Sequence, residues 1–424
     1  MCHSLLFPYL VYGGKCTLIN HEFSIYLYIL IMFSNDQVSP KQIPTLLVLL
    51  AAGCMTTMTG GVVAPVFPEI VEQLHIDPTW AGTLVSMHTL MTALSTLVLG
   101  ILADRIGKLR VLISSLIFYA LFGAAGGLMQ SFGTLLITRG LVGIASGGIS
   151  AASIGLLGSM YEGESRSRIM GYAASALATA SIIFPLLGGW VGSTHWQFAF
   201  YLYGLGLPVA LAATLILREG NQQTTVDLTK TQKLSKSLQQ TNVLMLLLAL
   251  VLASATFYVV IVYAPLYFKA SIGADTVLNG AILASRAIGA AIISALGASR
   301  LAKELGVNRA IAVGFGLMAL MLLVIPYLEQ AQWALLTALL FGAGFGLVMP
   351  NLYSVLSDIS PPTQRSGILA IGTGVSSLGQ FLCPVFLGPV WKTSSEAVFY
   401  VGAAVAIASG LLILQGKTPQ NQYL

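Results

Sequence analysis

Twelve long apolar runs, separated by short polar connectors, constrain the fold of this chain more than any other feature. A helix needs roughly 18 or more apolar residues to cross about 30 Å of hydrocarbon. The composition agrees, because 56% of the 424 residues are apolar and only 8% are charged, against roughly 25% charged in soluble domains. We predict an all-α membrane protein with spans near residues 44–67, 80–103, 110–130, 134–158, 168–192, 198–217, 242–266, 277–299, 309–327, 331–356, 366–389 and 396–415.

A longer polar connector at mid-chain divides the spans into six and six. The predicted segments are an N-terminal extension (1–43), a six-helix bundle (44–217), a cytoplasmic linker (218–241), a second six-helix bundle (242–416) and a cytoplasmic tail (417–424). The apolar stretch in the extension is too short to span a bilayer. It also lacks the basic start and cleavage site of a signal peptide. It is either an interfacial segment or a product of an early start codon.

Positive charge is distributed unevenly between the two sides of the predicted membrane. Fifteen of the 20 Lys and Arg residues fall on one side, and only Lys269 and Lys392 fall on the other. Lys and Arg accumulate in cytoplasmic loops. We therefore predict a multi-pass protein of the plasma (inner) membrane with both termini in the cytoplasm. No basic run with interleaved aromatic residues is present, which argues against a nucleic-acid partner.

The two six-span halves repeat each other at one fixed offset in sequence. Residues 199 positions apart match in type at Gly107 and Gly306, Arg110 and Arg309, Gly143 and Gly342, Gly147 and Gly346, Arg166 and Arg365, and Pro185 and Pro384. Because six is even, the second copy enters the membrane with the orientation of the first. Parallel repeats of this kind belong to carriers that bind a solute near the midplane and alternate its access to the two sides.

Two motifs resemble signatures of a known family. The loop Gly100–Arg110 carries the Gly, Asp-Arg, Gly and basic positions of the signature loop of the major facilitator superfamily, at Gly100, Asp104, Arg105, Gly107 and Arg110. The run from Arg139 to Gly148, with Gly143 and Gly147, is similar to the second motif of that family. The resemblance covers roughly residues 44–415 and implies the major facilitator fold.

A third motif is partial. Pro185, Gly188 and Gly189 resemble the fifth-helix motif of the twelve-helix drug:proton antiporters, although Phe184 stands where that branch has Gly. The resemblance implies a proton-coupled efflux pump for a drug or metabolite, with protons as the coupling ion. Uptake or exchange of a neutral or anionic metabolite is the alternative. A membrane-embedded enzyme or a sensor is more remote, since clustered catalytic groups and a large output segment are both missing from the sequence.

Charged residues near the connectors and inside the spans are the candidates for gating and coupling. A carboxylate at a helix C-terminus needs compensation, and the family resemblance implies that Asp104 docks on the facing half, here near Arg365. Arg139 and Arg286 lie inside spans, where a charge costs at least ~2.5 kcal/mol and usually has a function. Arg139 could alternatively extend to the interface. His88 is a candidate for proton coupling or a packed histidine.

The resemblance also implies which helices line a substrate cavity, namely the first, fourth, seventh and tenth. Aromatic and polar residues there suit an amphipathic solute, and the candidates are Met55, Thr59, Tyr258, Tyr263, Asn351 and Tyr353. None of the acids falls deep inside a predicted span, which favours a neutral or anionic cargo. The sequence contains neither a phosphate-binding loop nor a metal-ligand cluster, so we expect no cofactor. We expect a monomer in the bilayer.

Overall fold

The computed structural model describes residues 42–161, 163–218, 240–361 and 364–415, and within these residues it contains helices and no strand. The predictions for residues 1–41, for most of the linker and for the tail lie outside the described residues. Residues 1–47 and residues 48–424 form separate units by their internal contacts. The second unit contains both halves of the repeat from residue 48 onward.

Twelve helices in the described part of the chain are long and apolar enough to cross a membrane, which confirms the predicted fold class. Six precede the linker, and we number them α1–α6: Ile43–Gly61, Pro78–Ile106, Lys108–Leu128, Phe132–Met160, Gly163–Val191 and Gln197–Ile216. Six follow it, and we number them α7–α12: Thr241–Ile272, Thr276–Leu305, Val307–Tyr327, Ala331–Ile359, Arg365–Thr393 and Ala397–Gln415.

Several helix ends differ from the predicted spans, and the ends of α1 and α7 are examples. Helix α1 ends at Gly61, and a turn leads into a separate short helix, Phe67–Gln73, whose first turn contains a proline. Proline is tolerated at the start of a helix because its missing N–H would have no partner there. Helix α7 continues past its predicted end to Ile272 and is capped by Gly273, with φ of 66°. A left-handed glycine is a common helix terminator.

The same backbone turn is found at the equivalent position in each copy of the repeat. Gly107 joins α2 to α3 with φ 108° and ψ 134°, and Gly306 joins α8 to α9 with φ 85° and ψ 145°. These angles are accessible to glycine at little cost and strained for other residues. A glycine turn is therefore present at residue 107 of the signature loop, and its copy lies 199 residues further along.

Glycines allow the helices of each half to approach closely. A Cβ on Gly143 of α4 would overlap the backbone of His88 on α2, and a Cβ on Gly342 of α10 would overlap the carbonyl of Arg286 on α8. Small residues at such crossings let backbones pack tightly in membrane helices. The two pairs are equivalent in the repeat, so each half has the same crossing between its second and fourth helices.

Gly342→Ala should destabilise the protein, because the added methyl group has no room beside the Arg286 carbonyl. Overpacking of this kind costs about 1–3 kcal/mol. The matched control is Gly316→Ala on α9, where an added Cβ meets nothing within 4 Å. We expect the thermal midpoint in detergent to fall for Gly342→Ala and to stay level or rise for Gly316→Ala. Equal midpoints would contradict a tight crossing.

Candidate functional site

A buried arginine lies at the centre of the N-terminal half. Arg139 of α4 is 1% exposed. Its Nη1 donates to the Tyr203 hydroxyl of α6 at 2.6 Å, and its Nη2 donates to the Thr59 carbonyl of α1 at 2.5 Å. Nη2 also lies 3.2 Å from Nδ1 of His88 on α2. The side chain therefore points into the bundle and joins four helices. It does not extend to the membrane interface, which was the alternative prediction.

The partners of Arg139 are all uncharged groups. A hydroxyl, a carbonyl and an imidazole satisfy its terminal nitrogens, while Nε is buried without a partner. A buried cation normally requires pairing or several hydrogen bonds. Here the charge is held by hydrogen bonds and by the Tyr203 ring, whose centre lies 5.8 Å from the guanidinium carbon, and no carboxylate of the described residues forms an ion pair with it. Removing one partner would leave a charged group undersolvated, so this cluster is sensitive to any change in protonation.

The contact with Arg139 fixes the proton arrangement of His88. Arginine has only donors, so Nδ1 of His88 must accept, and the ring proton of the neutral imidazole is assigned to Nε2. The ring is 8% exposed and packs beside Gly60. A second proton on Nδ1 would remove the acceptor and place two positive groups 3.2 Å apart. Repulsion therefore disfavours the state in which His88 and Arg139 are both positively charged.

Sequence reasoning missed the hydroxyl groups that extend this cluster. The Tyr203 hydroxyl donates to the Thr59 carbonyl at 2.6 Å, and the Tyr119 hydroxyl donates to the Met55 carbonyl at 2.5 Å. The Thr59 hydroxyl lies 3.4 Å from both the Tyr119 and Ser146 hydroxyls. None of these tyrosines or serines stands out in an apolar span, because hydroxyl residues are common there. Only the convergence of five helices identifies them.

The second buried arginine has a different environment. Arg286 of α8 is 6% exposed, and its guanidinium carbon lies 4.2 Å from the centre of the Phe257 ring on α7. Phe257 in turn stacks on Phe345 of α10, with ring centres 4.1 Å apart. No acceptor contacts Arg286 in the described part of the chain, and its Nε is buried without a partner. The sequence predicted the arginine but not this aromatic stack.

Ion pairs join the two halves at one end of the spans, which we call the ion-paired end. Lys269 of α7 lies 3.0 Å from Glu69 and 2.6 Å from Glu72, and Lys392 of α11 lies 3.2 Å from Asp77. Sequence analysis identified both lysines as exceptions in the charge distribution and did not pair them. The signal was available, because the three acids occupy the corresponding connector of the first half.

These contacts lower the pKa values of two carboxyl groups. The hydrogen bond from Lys269 and its charge hold the pKa of Glu72 below its ordinary 4.5. Hydrogen bonds from the Thr79 backbone and hydroxyl, and then from Lys392, hold the pKa of Asp77 below its ordinary 3.8. A lowered pKa means that the ionised form is stabilised in this conformation. The contribution is present at neutral pH and is lost only as the pH falls through the lowered values.

Hydrogen bonds and close packing add to the ion pairs at this end. The Tyr258 hydroxyl donates to the Val85 carbonyl at 3.1 Å, and the Thr276 hydroxyl donates to the Gly189 carbonyl at 2.9 Å. Nearer the middle of the spans, the Thr89 hydroxyl donates to the Ser377 carbonyl at 3.3 Å. Each bond crosses from one half to the other. The two halves are therefore in contact from the ion-paired end to about mid-span.

The residues of the signature loop lie at the opposite end, which we call the basic end. Asp104 and Arg105 occupy the last turn of α2, and Arg110 lies in the first turn of α3 and donates to the Ile106 carbonyl at 3.4 Å. Arg365 begins α11 and donates to the Ser357 carbonyl at 3.0 Å. No ion pair to Asp104 is present within the described ranges. The structure does not bring Asp104 and Arg365 into an ion pair.

The predicted cavity residues lie in several environments. Met55, Thr59, Tyr258, Tyr263 and Asn351 are buried, and Tyr353 is half-buried. The Asn351 amide donates to the Leu347 carbonyl of its own helix at 2.8 Å, and the Tyr353 hydroxyl lies 3.3 Å from that of Ser376. Their contact with a solute stays a prediction.

The remaining motif residues lie at helix contacts. A Cβ on Gly147 would overlap Ser95, one on Gly188 would overlap the Val62 backbone, and one on Gly189 would overlap the Thr276 carbonyl. Pro185 lies inside α5, and its carbonyl faces Gly280 of α8. A Cβ on Gly100 would only come into ordinary contact with Ala151, near the basic end. The fifth and eighth helices thus cross between the halves at Pro185 and Gly189.

Two bundles of six helices, related by a parallel repeat and each containing a buried arginine, define a membrane carrier. The profile of the Major Facilitator Superfamily matches residues 49–384 and 246–423. The chain belongs to this superfamily, as its motifs predicted, and its fold and family are those of transporters embedded in a membrane by many spans.

Known proteins similar to this chain share most of its length. It is 25% identical over 373 residues to the multidrug efflux protein YfmO of Bacillus subtilis (strain 168), covering 86% of this chain and 91% of that protein. It is 21% identical over 362 residues to the quinolone resistance protein NorA of Staphylococcus aureus, covering 84% and 92%. The crystal structure of a D-xylose-proton symporter shares the fold, with a TM-score of 0.73 at 14% identity, over 89% of this chain and 99% of that chain.

Lys269→Gln should open the ion-paired end, because it removes the partner of both Glu69 and Glu72. Spin labels at the exposed positions Trp80 and Thr393, in a cysteine-free background, would report the opening as a longer distance. In the unsubstituted protein the distance should not change between pH 7.5 and 5.5. It should lengthen only once the pH falls below the ordinary carboxyl pKa values of 4.5 and 3.8, since the pKa values of Glu72 and Asp77 are lowered from these. The matched control is Lys303→Gln at the basic end. An unchanged distance in Lys269→Gln would contradict a gate held by these pairs.

Proposed function

We propose that this chain is a proton-coupled efflux carrier that moves a small organic compound out of the cell by alternating access. The observation that carries the proposal is that two relatives matched over more than four fifths of this chain are named for multidrug efflux and quinolone resistance. We place the protein in the plasma membrane with both termini in the cytoplasm. A single chain contains both halves, so we take the monomer as the working unit.

The charge distribution gives the orientation in this proposal. The basic end carries Arg105, Lys108, Arg110, Lys303 and Arg309, and such residues favour the cytoplasmic side. The ion-paired end then faces outward, and the contacts between halves close the carrier on that side. We therefore assign this conformation to the inward-open state, in which a compound would enter from the cytoplasm or the inner leaflet.

Transport in this scheme exchanges one set of contacts between halves for another. Opening outward requires breaking the ion pairs that Lys269 and Lys392 form with acids of the other half. The hydrogen bond from Thr276 to Gly189 must also break. Closing the basic end must supply new contacts in return. Asp104 has no ion-pair partner among the described residues, and we propose that it docks near Arg365 at the start of α11 in the outward-open state.

The pair of His88 and Arg139 is the proposed coupling element. Proton binding at Nδ1 of His88 would remove the acceptor of Arg139 and add a neighbouring charge. Arg139 would then depend on Tyr203 and on the Thr59 carbonyl, so the packing of α1, α2, α4 and α6 would change together. A proton that enters from outside could in this way drive the inward-open state, and its release inside would reset the carrier.

The test of the function is transport in everted membrane vesicles, whose cytoplasmic side faces the medium. An acid interior should drive accumulation of at least one member of a panel of lipophilic cations, lipophilic anions and sugars. Collapse of the proton gradient with an uncoupler should abolish it. The uptake alternative predicts accumulation in right-side-out vesicles instead. If neither orientation accumulates any compound in response to the gradient, the antiporter proposal is wrong.

His88→Gln should uncouple transport from protons, because Gln accepts a hydrogen bond from Arg139 but does not titrate. We expect substrate exchange without a gradient to persist within about twofold, while gradient-driven accumulation falls at least about tenfold, a loss equivalent to ~1.4 kcal/mol. His195→Gln, at an exposed position, is the matched control and should behave like the original protein. Full accumulation by His88→Gln would assign the coupling proton elsewhere.

Asp104→Asn should slow transport without affecting expression, because Asn keeps the shape of the side chain and loses the charge needed for docking. We expect the maximal rate to fall about tenfold, corresponding to ~1.4 kcal/mol on the transition between states. Asp358→Asn, exposed at the same end, controls for loss of a surface charge. The measurement is initial flux normalised to membrane-inserted protein. A normal rate for Asp104→Asn would exclude the latch.

A further inference from the structure

Arg286 is the buried cation whose hydrogen-bonding capacity is unused. It is 6% exposed and lies in α8, between α7 and α10. Within the described ranges no hydroxyl, carbonyl or carboxylate accepts from its guanidinium, and its Nε is fully buried. Arginine keeps its charge in proteins and offers five donors. An arginine held in this way has the capacity to bind a ligand that supplies the missing acceptors.

Arg139 offers a comparison within the same chain. Both of its terminal nitrogens have protein acceptors, at 2.6 Å and 2.5 Å. Its charge is therefore already used to join the helices of the N-terminal half. Arg286 lies closer to an aromatic ring, 4.2 Å from the centre of Phe257 against 5.8 Å between Arg139 and the centre of Tyr203. A contact with a ring face stabilises a cation without occupying its N–H donors. The two arginines have different roles, and the one in the C-terminal half is free to bind cargo.

The rings beside Arg286 form an apolar platform. The Phe257 ring extends from α7 to the guanidinium of Arg286. It also stacks on the Phe345 ring, with an angle of 25° between the two rings. Both rings are half-buried, whereas the guanidinium is almost fully buried. The cation and the platform are in direct contact, because the guanidinium lies against the Phe257 ring. This arrangement presents apolar surface and a positive charge to one molecule at the same time.

We propose that Arg286, Phe257 and Phe345 form a binding site for an organic anion, and that the cargo carries a carboxylate or similar group attached to an aromatic or other flat apolar body. A carboxylate matches the planar donor fork of arginine. The described spans supply no acid at this depth, so the anion of the cargo neutralises a charge that the protein leaves unpaired. The proposal rests on the proposed transport function and names the chemical class of its substrate.

The experiment measures equilibrium binding to the purified full-length protein at pH 7, with no proton gradient. The probes are 2-naphthoate and its uncharged amide, 2-naphthamide, which differ only in the group that would meet Arg286. We expect 2-naphthoate to bind at least about tenfold more tightly, a difference of ~1.4 kcal/mol. Arg286→Gln should abolish this preference and leave the affinity for 2-naphthamide unchanged. Phe257→Leu should weaken both probes by a similar factor.

Two further variants separate binding from folding. Arg300→Gln removes an exposed arginine of the same helix and should keep the full preference. Arg286→Lys keeps the charge and loses the planar fork, so a reduced but measurable preference is expected even if Arg286→Gln folds poorly. A preference that survives in Arg286→Gln, or equal affinities of the two probes for the unsubstituted protein, would overturn the proposal. Because no flux is measured, a failure of proton-driven transport would leave this result standing.

Discussion

Close contact between helix backbones at glycine is the constraint on which the rest of the structure depends. Apolar side chains in lipid gain little from associating with each other, so packing must come from shape. Gly143 and Gly342 set the crossing inside each half, and Gly189 and Gly388 set the crossing between the halves. In the proposed transport cycle, the contacts between halves are exchanged as the bundles rock. Glycines thus set the packing both within each half and between the halves.

Acidic and basic side chains occupy different levels of the helix bundle. Acids lie near the ends of the spans, where Glu69, Glu72 and Asp77 meet lysines across the halves. Cations lie inside, where Arg139 is held by hydroxyl and carbonyl groups and Arg286 by an aromatic ring. In the proposals above, Arg286 provides the positive charge for the cargo and the ion pairs form the gate.

Much of the architecture could be predicted from the chain alone. The twelve spans, the repeat at 199 residues, the glycine turn at Gly107 and its copy at Gly306 all follow from local pattern. The end of α1 did not, because the run of apolar residues continues through Gly61 while the backbone leaves the helix before the short helix Phe67–Gln73. The hydropathy of a segment indicates whether it is buried. It cannot separate a buried turn from a buried helix, because both are apolar.

The sequence by itself determined the family, the number of spans and the residues that bear charge inside them, since these depend on composition and spacing. Only the tertiary structure decided how those charges are satisfied. Arg139 and Arg286 look alike in sequence, yet one meets Tyr203 and Thr59 and the other meets Phe257. Those partners lie on other helices, between 29 and 80 positions away. Their meeting depends on the angles at which glycines let the helices cross, which no local pattern encodes.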